Sequence, residues 1–404
     1  MRDHGRRLKP ERYALAGRHY LDHASTSPAR AEVVTAMAQW LGRPGGDPGR
    51  VHTEALEARV AVEQAREQVA ILLGARSREV VFTSGATEAI AAATWGASER
   101  GGHQVVPAVE HSAVRDSAAA AGDVTLVGVD GFGRVDPGEV VAAIRSETAL
   151  VHVQWGNHEV GTLQPVAEVV NACRERGVLV HVDAAQAVGH LRVGFDELGA
   201  DLLSVSAHKF GGPPGIGALV VRRGLRLRPL LVGGDQERAR RAGMENVPAI
   251  AGFGAAATVL SSVAGVGANG RSGVDAECAA QRRLSDRVVA AAPGLDGVVV
   301  HGDPVERLPH VVCLGVEGIE PQAVLFGLDR AGVAVQSGSA CSSEALEPSP
   351  VLAAMGVDAH RSLRVSVGWS STDDDVDALL DALPTVIAEL RRLGSRTPSP
   401  NSTQ

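Results

Sequence analysis

VLVHVDAAQAVGHLRVGFDELGADLLSVSAHKFGGPPGIGALVV, residues 178–221, holds three apolar runs in close succession: VLVHVDAA, DLLSVSA and GALVV. Each is short and rich in Val or Leu. Runs of this kind suit strands buried on both faces, and so a mainly parallel sheet. The same pattern recurs upstream in EVVFT (79–83), HQVVPAV (103–109), VTLVGV (124–129) and ALVHVQWG (149–156). Helical or turn segments separate most of the runs, which is the rhythm of an α/β domain. Before them, residues 54–73 carry apolar positions at helical spacing with charges between, as in an amphipathic helix.

The chain continues past this unit. A Gly/Ala/Ser-rich stretch, AGVGANGRSG (264–273), reads as a boundary. Beyond it come a helical ECAAQRRLSDRVVAAA (277–292) and strand-like GVVVHG, HVVCLGV and LRVSVGW. Two further helical stretches follow the same pattern, QAVLFGLDRAG (322–332) and VDALLDALPTVIAELRRL (376–393). The expected organisation is a disordered arm over 1–17, a large domain over 18–263, a smaller α+β domain over 264–392 and a disordered tail over 393–404.

Composition narrows the class. The chain has 404 residues, 45% of them hydrophobic, enough for a large core in two domains. Aromatics are only 3%, so Ala, Val, Leu and Ile must fill that core. Net charge is −8, and no basic stripe interleaved with aromatics occurs, so direct nucleic-acid binding is not expected. No run of about 18 apolar residues marks a membrane span, and the charged N-terminus lacks the apolar core of a secretory signal. The cysteines, Cys173, Cys278, Cys313 and Cys341, are dispersed with no CxxC pair. Neither a zinc site nor a disulfide framework is expected, and a reducing cytoplasm fits.

One count stands out. Of 39 basic residues only Lys9 and Lys209 are lysines. Guanidinium stays charged at all working pH values, so Arg cannot serve where an amine must lose its proton and attack a carbonyl. Lys209, in SAHKFGG, is therefore a candidate Schiff-base nucleophile.

Four segments supply the rest of a site. TSGATE (83–88) follows a strand and opens a helix, where small residues let an anion approach backbone N–H groups. HVDAAQ (181–186) ends a strand at the edge where open α/β sheets bind ligands. Asp183 there has two readings, a partner for a protonated ring nitrogen or a helix N-cap. Ser206 and His208 flank Lys209. In EHSAV (110–114), His111 reads either as a structural residue or as one that stacks on a ring or shuttles protons. A phosphate cradle, an Asp for a pyridine nitrogen and a lysine together describe a pyridoxal-phosphate site.

The succession YLDHASTSP, TSGATE, EHSAV, NHEVGTLQP, HVDAAQ, SAHKFGGPPGIGAL, GGDQERARRAGMENVPAI, QSGSACSSEALEPSPVLAAMG and SLRVSVG resembles the cysteine desulfurases. These form a NifS-like group in the class V aminotransferase branch of fold-type I enzymes dependent on pyridoxal 5'-phosphate (PLP). The resemblance spans residues 19–392. It implies an α/β large domain with a mainly parallel seven-stranded sheet, a smaller C-terminal α+β domain and a homodimer with its sites at the subunit interface.

The resemblance also implies roles. Lys209 would form the Schiff base, Asp183 would hold the pyridinium nitrogen, Gln186 would bond the phenolic oxygen and His111 would stack on the ring. Ala86, Thr87, Ser206 and His208 would hold the phosphate. Arg364 would clamp the carboxylate of L-cysteine, a task suited to its planar fork. Cys341 would take the sulfur as a persulfide, release alanine and pass the sulfur to an acceptor protein. Its Gly/Ser-rich surroundings agree, whereas Cys173 and Cys313 sit in apolar contexts and read as inert.

The chain departs from the family pattern at several points. His158 stands where the family has an Asn that bonds the phenolic oxygen; His158 itself, or neighbouring Asn157, would have to serve. Met244 replaces a Thr that reaches the phosphate in the partner subunit, which implies weaker PLP retention. Asp235 replaces a Gly, and GDPGRVH differs from the usual segment. Two alternatives stay open: a selenocysteine lyase or other class V lyase or aminotransferase, and a non-catalytic sulfur-relay scaffold.

Overall fold

The computed structural model describes residues 17–42, 45–261, 273–337 and 348–394. Twelve strands stand among them: β1 (His19–Tyr20), β2 (Val80–Thr83), β3 (His103–Pro107), β4 (Asp123–Val127), β5 (Thr148–Gln154), β6 (Leu179–Asp183), β7 (Leu202–Ser206), β8 (Gly217–Val221), β9 (Val298–His301), β10 (Val311–Val316), β11 (Val333–Ala334) and β12 (Ser362–Ser366). Seven of them form one sheet in the order β2-β8-β7-β6-β5-β3-β4. All neighbours run parallel except β8, which is antiparallel to both β2 and β7.

The apolar runs become these strands because both sheet faces are covered. Every residue of β2, β3, β5, β6, β7 and β8 is buried. Edge strand β4 is mostly exposed or half-buried, and Leu126 faces solvent. Between strands the chain crosses over through helices such as Ala86–Ala97, Ser112–Ala121 and Val166–Glu175. The amphipathic segment forms the Thr53–Leu73 helix, which packs with Val247–Ser261 on the main core.

A second core joins Leu21 to Leu284 and Val288, to β10 and β12, and to Val376, Leu379 and Leu383 of the Asp373–Gly394 helix. Its sheet is antiparallel, in the order β12-β10-β9. The N-terminal strand belongs to this side of the molecule: β1 pairs parallel with β11, and Asp22 bridges to Ser366. The segment then turns along the large sheet, where Ser27 N–H donates to the His208 carbonyl at 2.8 Å and Arg30 N–H to that of Gly211 at 2.9 Å. Residues 21–30 thus tie the two cores together beside Lys209. Arg30 adds a bidentate ion pair with Glu277 of the Gly273–Ala291 helix, at 2.7 and 2.8 Å.

Candidate active site

The C-terminal ends of the parallel strands open into a cavity of about 420 Å³. Sheets of this kind place ligands there. Ala86, Thr87, His111, His158, Asp183, Gln186, Ser206, His208, Lys209 and Arg364 all line it. These residues come from six separate stretches of chain, so their meeting is a property of the fold.

Each is delivered by a local rule. Lys209 lies in the 3₁₀ turn Ala207–Phe210 directly after β7. The turn closes on Gly211 at φ +86°, where a Cβ would come within 2.8 Å of Arg30 and Trp369, so both conformation and space require glycine. Lys209 Nζ donates to the carbonyls of Ala24 at 2.7 Å and Ser25 at 3.0 Å. Asp183 is the last residue of β6. Its Oδ1 accepts from Ala185 N–H at 3.0 Å and from the Ser204 hydroxyl at 3.3 Å. Burial pushes its carboxyl above the ordinary range, against those hydrogen bonds and the nearby His111 and Lys209.

The Ala86–Ala97 helix points its N-terminus at the cavity, with the first-turn N–H groups that no intrahelical carbonyl can satisfy. Ser206, at the end of β7, lies beside Gly85. Gly217 of β8 permits this approach: a Cβ there would sit 2.7 Å from the Gly85 Cα. The helix start is pinned by Glu88, which accepts from Ser84 N–H at 2.7 Å and pairs with Arg241 at 2.9 Å.

His111 caps the Ser112–Ala121 helix, its Nδ1 accepting from Ala113 N–H at 3.1 Å. Its ring meets His158 edge to face, 5.0 Å between centroids. Burial, and next the neighbouring His111, hold His158 well below the ordinary histidine range, so it is neutral at pH 7. Burial and Lys209 lower His208 to about 4. It meets Thr26 Oγ1 at 3.2 Å and acts through hydrogen bonding rather than charge.

Arg364 arrives from β12, on the other core. It is 1% exposed. Nη1 donates to the His158 carbonyl at 2.8 Å, and Nη2 to Ser25 Oγ at 2.7 Å and Asp22 Oδ1 at 3.1 Å. Two buried nitrogens of the cavity wall, Arg364 Nε and His158 Nδ1, have no partner among the described residues. Groups of this kind are costly unless something fills the site.

Asn157 does not line the cavity: its amide donates to the Val109 carbonyl at 3.1 Å and accepts from Glu159 and Val160 N–H, both at 2.8 Å. It braces the turn that presents His158. Cys341 lies outside the described residues, in 338–347. Burial pushes the Cys173 thiol up to about 12 and that of Cys313 well above its ordinary value, which leaves both unreactive. Met244 is 61% exposed and away from the cavity lining.

Residues 19–379 match the model of the family described as Aminotransferase class-V. The chain belongs to the class-V aminotransferases. Within that family it groups with proteins called cysteine desulfurase. The protein IscS of Dictyoglomus turgidum is 39% identical over 386 residues, covering 93% of this chain and 95% of its own. IscS 1 of Archaeoglobus fulgidus is 39% identical over 385 residues, with 93% and 98% covered. Among solved structures, a NifS-like protein superposes with a TM-score of 0.83 at 30% identity, covering 92% of this chain and 100% of its own. A structure described as SspA in complex with cysteine gives 0.75 at 30% identity, with 88% and 100% covered.

This class-V site also contains groups that the motifs did not disclose. Asp22 and Ser25 hold Arg364, and Ala24 and Ser25 hold Lys209. YLDHASTSP was visible as a motif, but nothing in it said that its backbone carbonyls are the functional atoms. Glu110, beside His111, carries no role in the sequence motifs. It is fully buried, accepts from Gln154 N–H at 2.5 Å and leaves Oε2 without a partner among the described residues. Burial, and then nearby Asp183, push its carboxyl well above the ordinary range.

Proposed function

We propose that this protein is a PLP-dependent cysteine desulfurase that converts L-cysteine to L-alanine and leaves the sulfur as a persulfide on Cys341. The observation that carries the reading is the convergence of Lys209, Asp183, Gln186, His111 and the Ala86–Ala97 helix N-terminus on one cavity. The donor set suits the cofactor. A carboxylate buried as deeply as Asp183 is costly to keep charged unless a cation sits beside it, and a protonated ring nitrogen is that cation. Ser206, Thr87 and the helix N-terminus offer hydroxyl and N–H donors for a phosphate. His158, whose Nδ1 has no partner among the described residues, stands where the resemblance puts a donor to the phenolic oxygen.

When bound, the cofactor supplies an electron sink for the bonds at the substrate Cα. The chain supplies the rest. Lys209 Nζ would hold the cofactor, and its amine would take and return the proton at Cα. Arg364 binds the substrate carboxylate, with Asp22 and Ser25 fixing its plane. His111, its Nδ1 accepting from the Ala113 N–H, lines the cavity and would stack on the cofactor ring. The Cys341 thiolate attacks the substrate sulfur; the S–S bond forms as the C–S bond breaks, the C–S electron pair passes to Cβ, which takes up a proton, and the carbon skeleton leaves as alanine. A protein acceptor then takes the terminal sulfur.

We read the assembly as a homodimer in the cytoplasm. Val232 and Met244, beside and within the segment that resembles the subunit-crossing loop, are exposed apolar side chains. Among the described residues no helix is long and apolar enough to cross a membrane. The test is the visible spectrum of the purified protein together with alanine and sulfide release from L-cysteine for wild type and Cys341→Ala. A cofactor band with turnover that collapses in the variant supports the reading. A band with unaffected alanine release removes the persulfide role and favours another lyase. Failure to bind PLP after reconstitution favours a scaffold.

A further inference from the structure

Behind the cavity wall lie two imidazoles that none of the roles above uses. The rings of His190 and His310 stack with centroids 3.5 Å apart and planes 12° from parallel. His310 Nε2 is 3.1 Å from Gln186 Oε1, while Gln186 Nε2 donates to the Ala24 carbonyl at 2.9 Å. A carbonyl can only accept, so the amide NH₂ of Gln186 faces Ala24 and its oxygen faces His310. His310 therefore carries its proton on Nε2. Its Nδ1 is left bare, and that buried atom has no partner among the described residues.

His190 faces an oxygen on each side: its Nε2 is 3.3 Å from the Lys209 carbonyl and its Nδ1 is 2.9 Å from Gln281 Oε1, and a neutral ring donates to only one of them. Burial keeps both rings neutral: His310 is held well below the ordinary histidine range and His190 lowered to about 4. Two neutral rings can stack at this distance where two cations would repel. Packed against His190, His310 has little freedom to rotate.

The Ala24 carbonyl does not hold Gln186 alone, because it also accepts from Lys209 Nζ at 2.7 Å. The bond from His310 is the one that serves Gln186 exclusively. We propose that His310 is a positioning residue that locks the Gln186 amide through its oxygen, so that a fixed N–H, never the oxygen, is offered to the phenolic oxygen of the cofactor. This rests on the PLP reading above. Residue by residue, the chain of dependence runs from His190 to His310 to Gln186 to the cavity.

Two measurements test it. Nitrogen-15 spectra of histidine-labelled, cofactor-free protein, assigned by loss of signal in His310→Gln, should show His310 neutral with its proton on Nε2. A proton on Nδ1 overturns the proposal, whether or not PLP binds. In the reconstituted enzyme, His310→Met should weaken PLP binding by roughly tenfold and move the midpoint of the visible-band pH titration, the scale of one lost hydrogen bond in a buried network. His310→Gln, which keeps an N–H donor, should return both toward wild type. In a Gln186→Leu background, His310→Met should add nothing. A folded His310→Met protein with unchanged PLP binding and midpoint, or an additive effect in the Gln186→Leu background, overturns the proposal. A wild type that takes up no PLP overturns the function proposed above, and the histidine tautomer still judges the lock on Gln186.

Discussion

Arg364 Nη2 lies 3.1 Å from Asp22 Oδ1, an ion pair between a β12 side chain and the segment that follows β1. The arginine that is to receive a substrate carboxylate thus already holds one. An incoming carboxylate competes with Asp22 for the same positive charge. Asp22→Asn keeps the shape and removes the competing charge, so KM for L-cysteine should fall several-fold. Removing one partner of a largely buried pair should also lower stability by about 3 kcal/mol. Steady-state kinetics and urea unfolding on the same preparation check both. An unchanged KM would mean that Asp22 only positions the guanidinium.

Lys209→Arg separates charge from chemistry. The guanidinium can still reach the Ala24 and Ser25 carbonyls, so the fold should survive. It cannot lose a proton at working pH, so alanine formation should drop by at least about 10²-fold. The visible band of a lysine-linked cofactor should vanish with it. Retention of both would remove Lys209 from the reaction.

Glu110 gives a pH prediction with a definite sign. Its folded-state carboxyl is held above the unfolded value of about 4.3, chiefly by burial. Its contribution to stability is therefore fully present below that unfolded value and is lost as pH rises through the folded value. Glu110→Gln removes the titration. Relative to wild type, the variant should gain stability from pH 5 to pH 8, read as a change in the difference of urea midpoints. A constant difference would show that Glu110 does not titrate in this window.

The segment after Asp235 carries three successive non-glycine residues at positive φ: Glu237 at +48°, Arg238 at +60° and Ala239 at +61°. Such residues cost about 1–2 kcal/mol each for L-amino acids. The turn persists because Glu237 is buried in a bidentate pair with Arg66, at 2.6 and 2.8 Å, and accepts from Phe82 N–H at 2.9 Å. Ala239→Gly should raise stability by about 1 kcal/mol, whereas Glu237→Gln should cost about 3 kcal/mol. Thermal and urea melts of the two variants decide this, and a destabilised Ala239→Gly would contradict the strain assigned here.

The strands were legible because burial on both faces leaves a plain mark. Runs such as ALVHVQWG and DLLSVSA are rich in Val and Leu and carry no Lys, Arg or Glu, and they became β5 and β7. Lys209 and Asp183 were legible for different reasons: Lys209 is one of only two lysines among 39 basic residues, and Asp183 closes an apolar strand at the edge where open α/β sheets bind ligands. Asn157 misled because sequence adjacency to His158 says nothing of direction. Successive residues of a turn point to different sides, and this one points inward to Val109. The left-handed turn at Glu237 was invisible, since its cause is an arginine far away in sequence. The Gln186–His310 contact was hidden likewise, because it joins two cores whose relative placement no local pattern encodes.

That placement has a consequence for when the enzyme becomes an enzyme. The carbonyls that hold Lys209 belong to Ala24 and Ser25, and this segment is itself held by β11 and by Ser366. Domains commonly begin to fold while the chain is still being synthesised. Here the large sheet can form early, but the earliest-made strand must wait for the last-made ones. Until residues 333–366 have emerged from the ribosome, the lysine has no cage and the arginine does not exist. A nascent chain can therefore own a complete central sheet and still be chemically silent, which keeps a reactive amine quiet until the whole molecule is built.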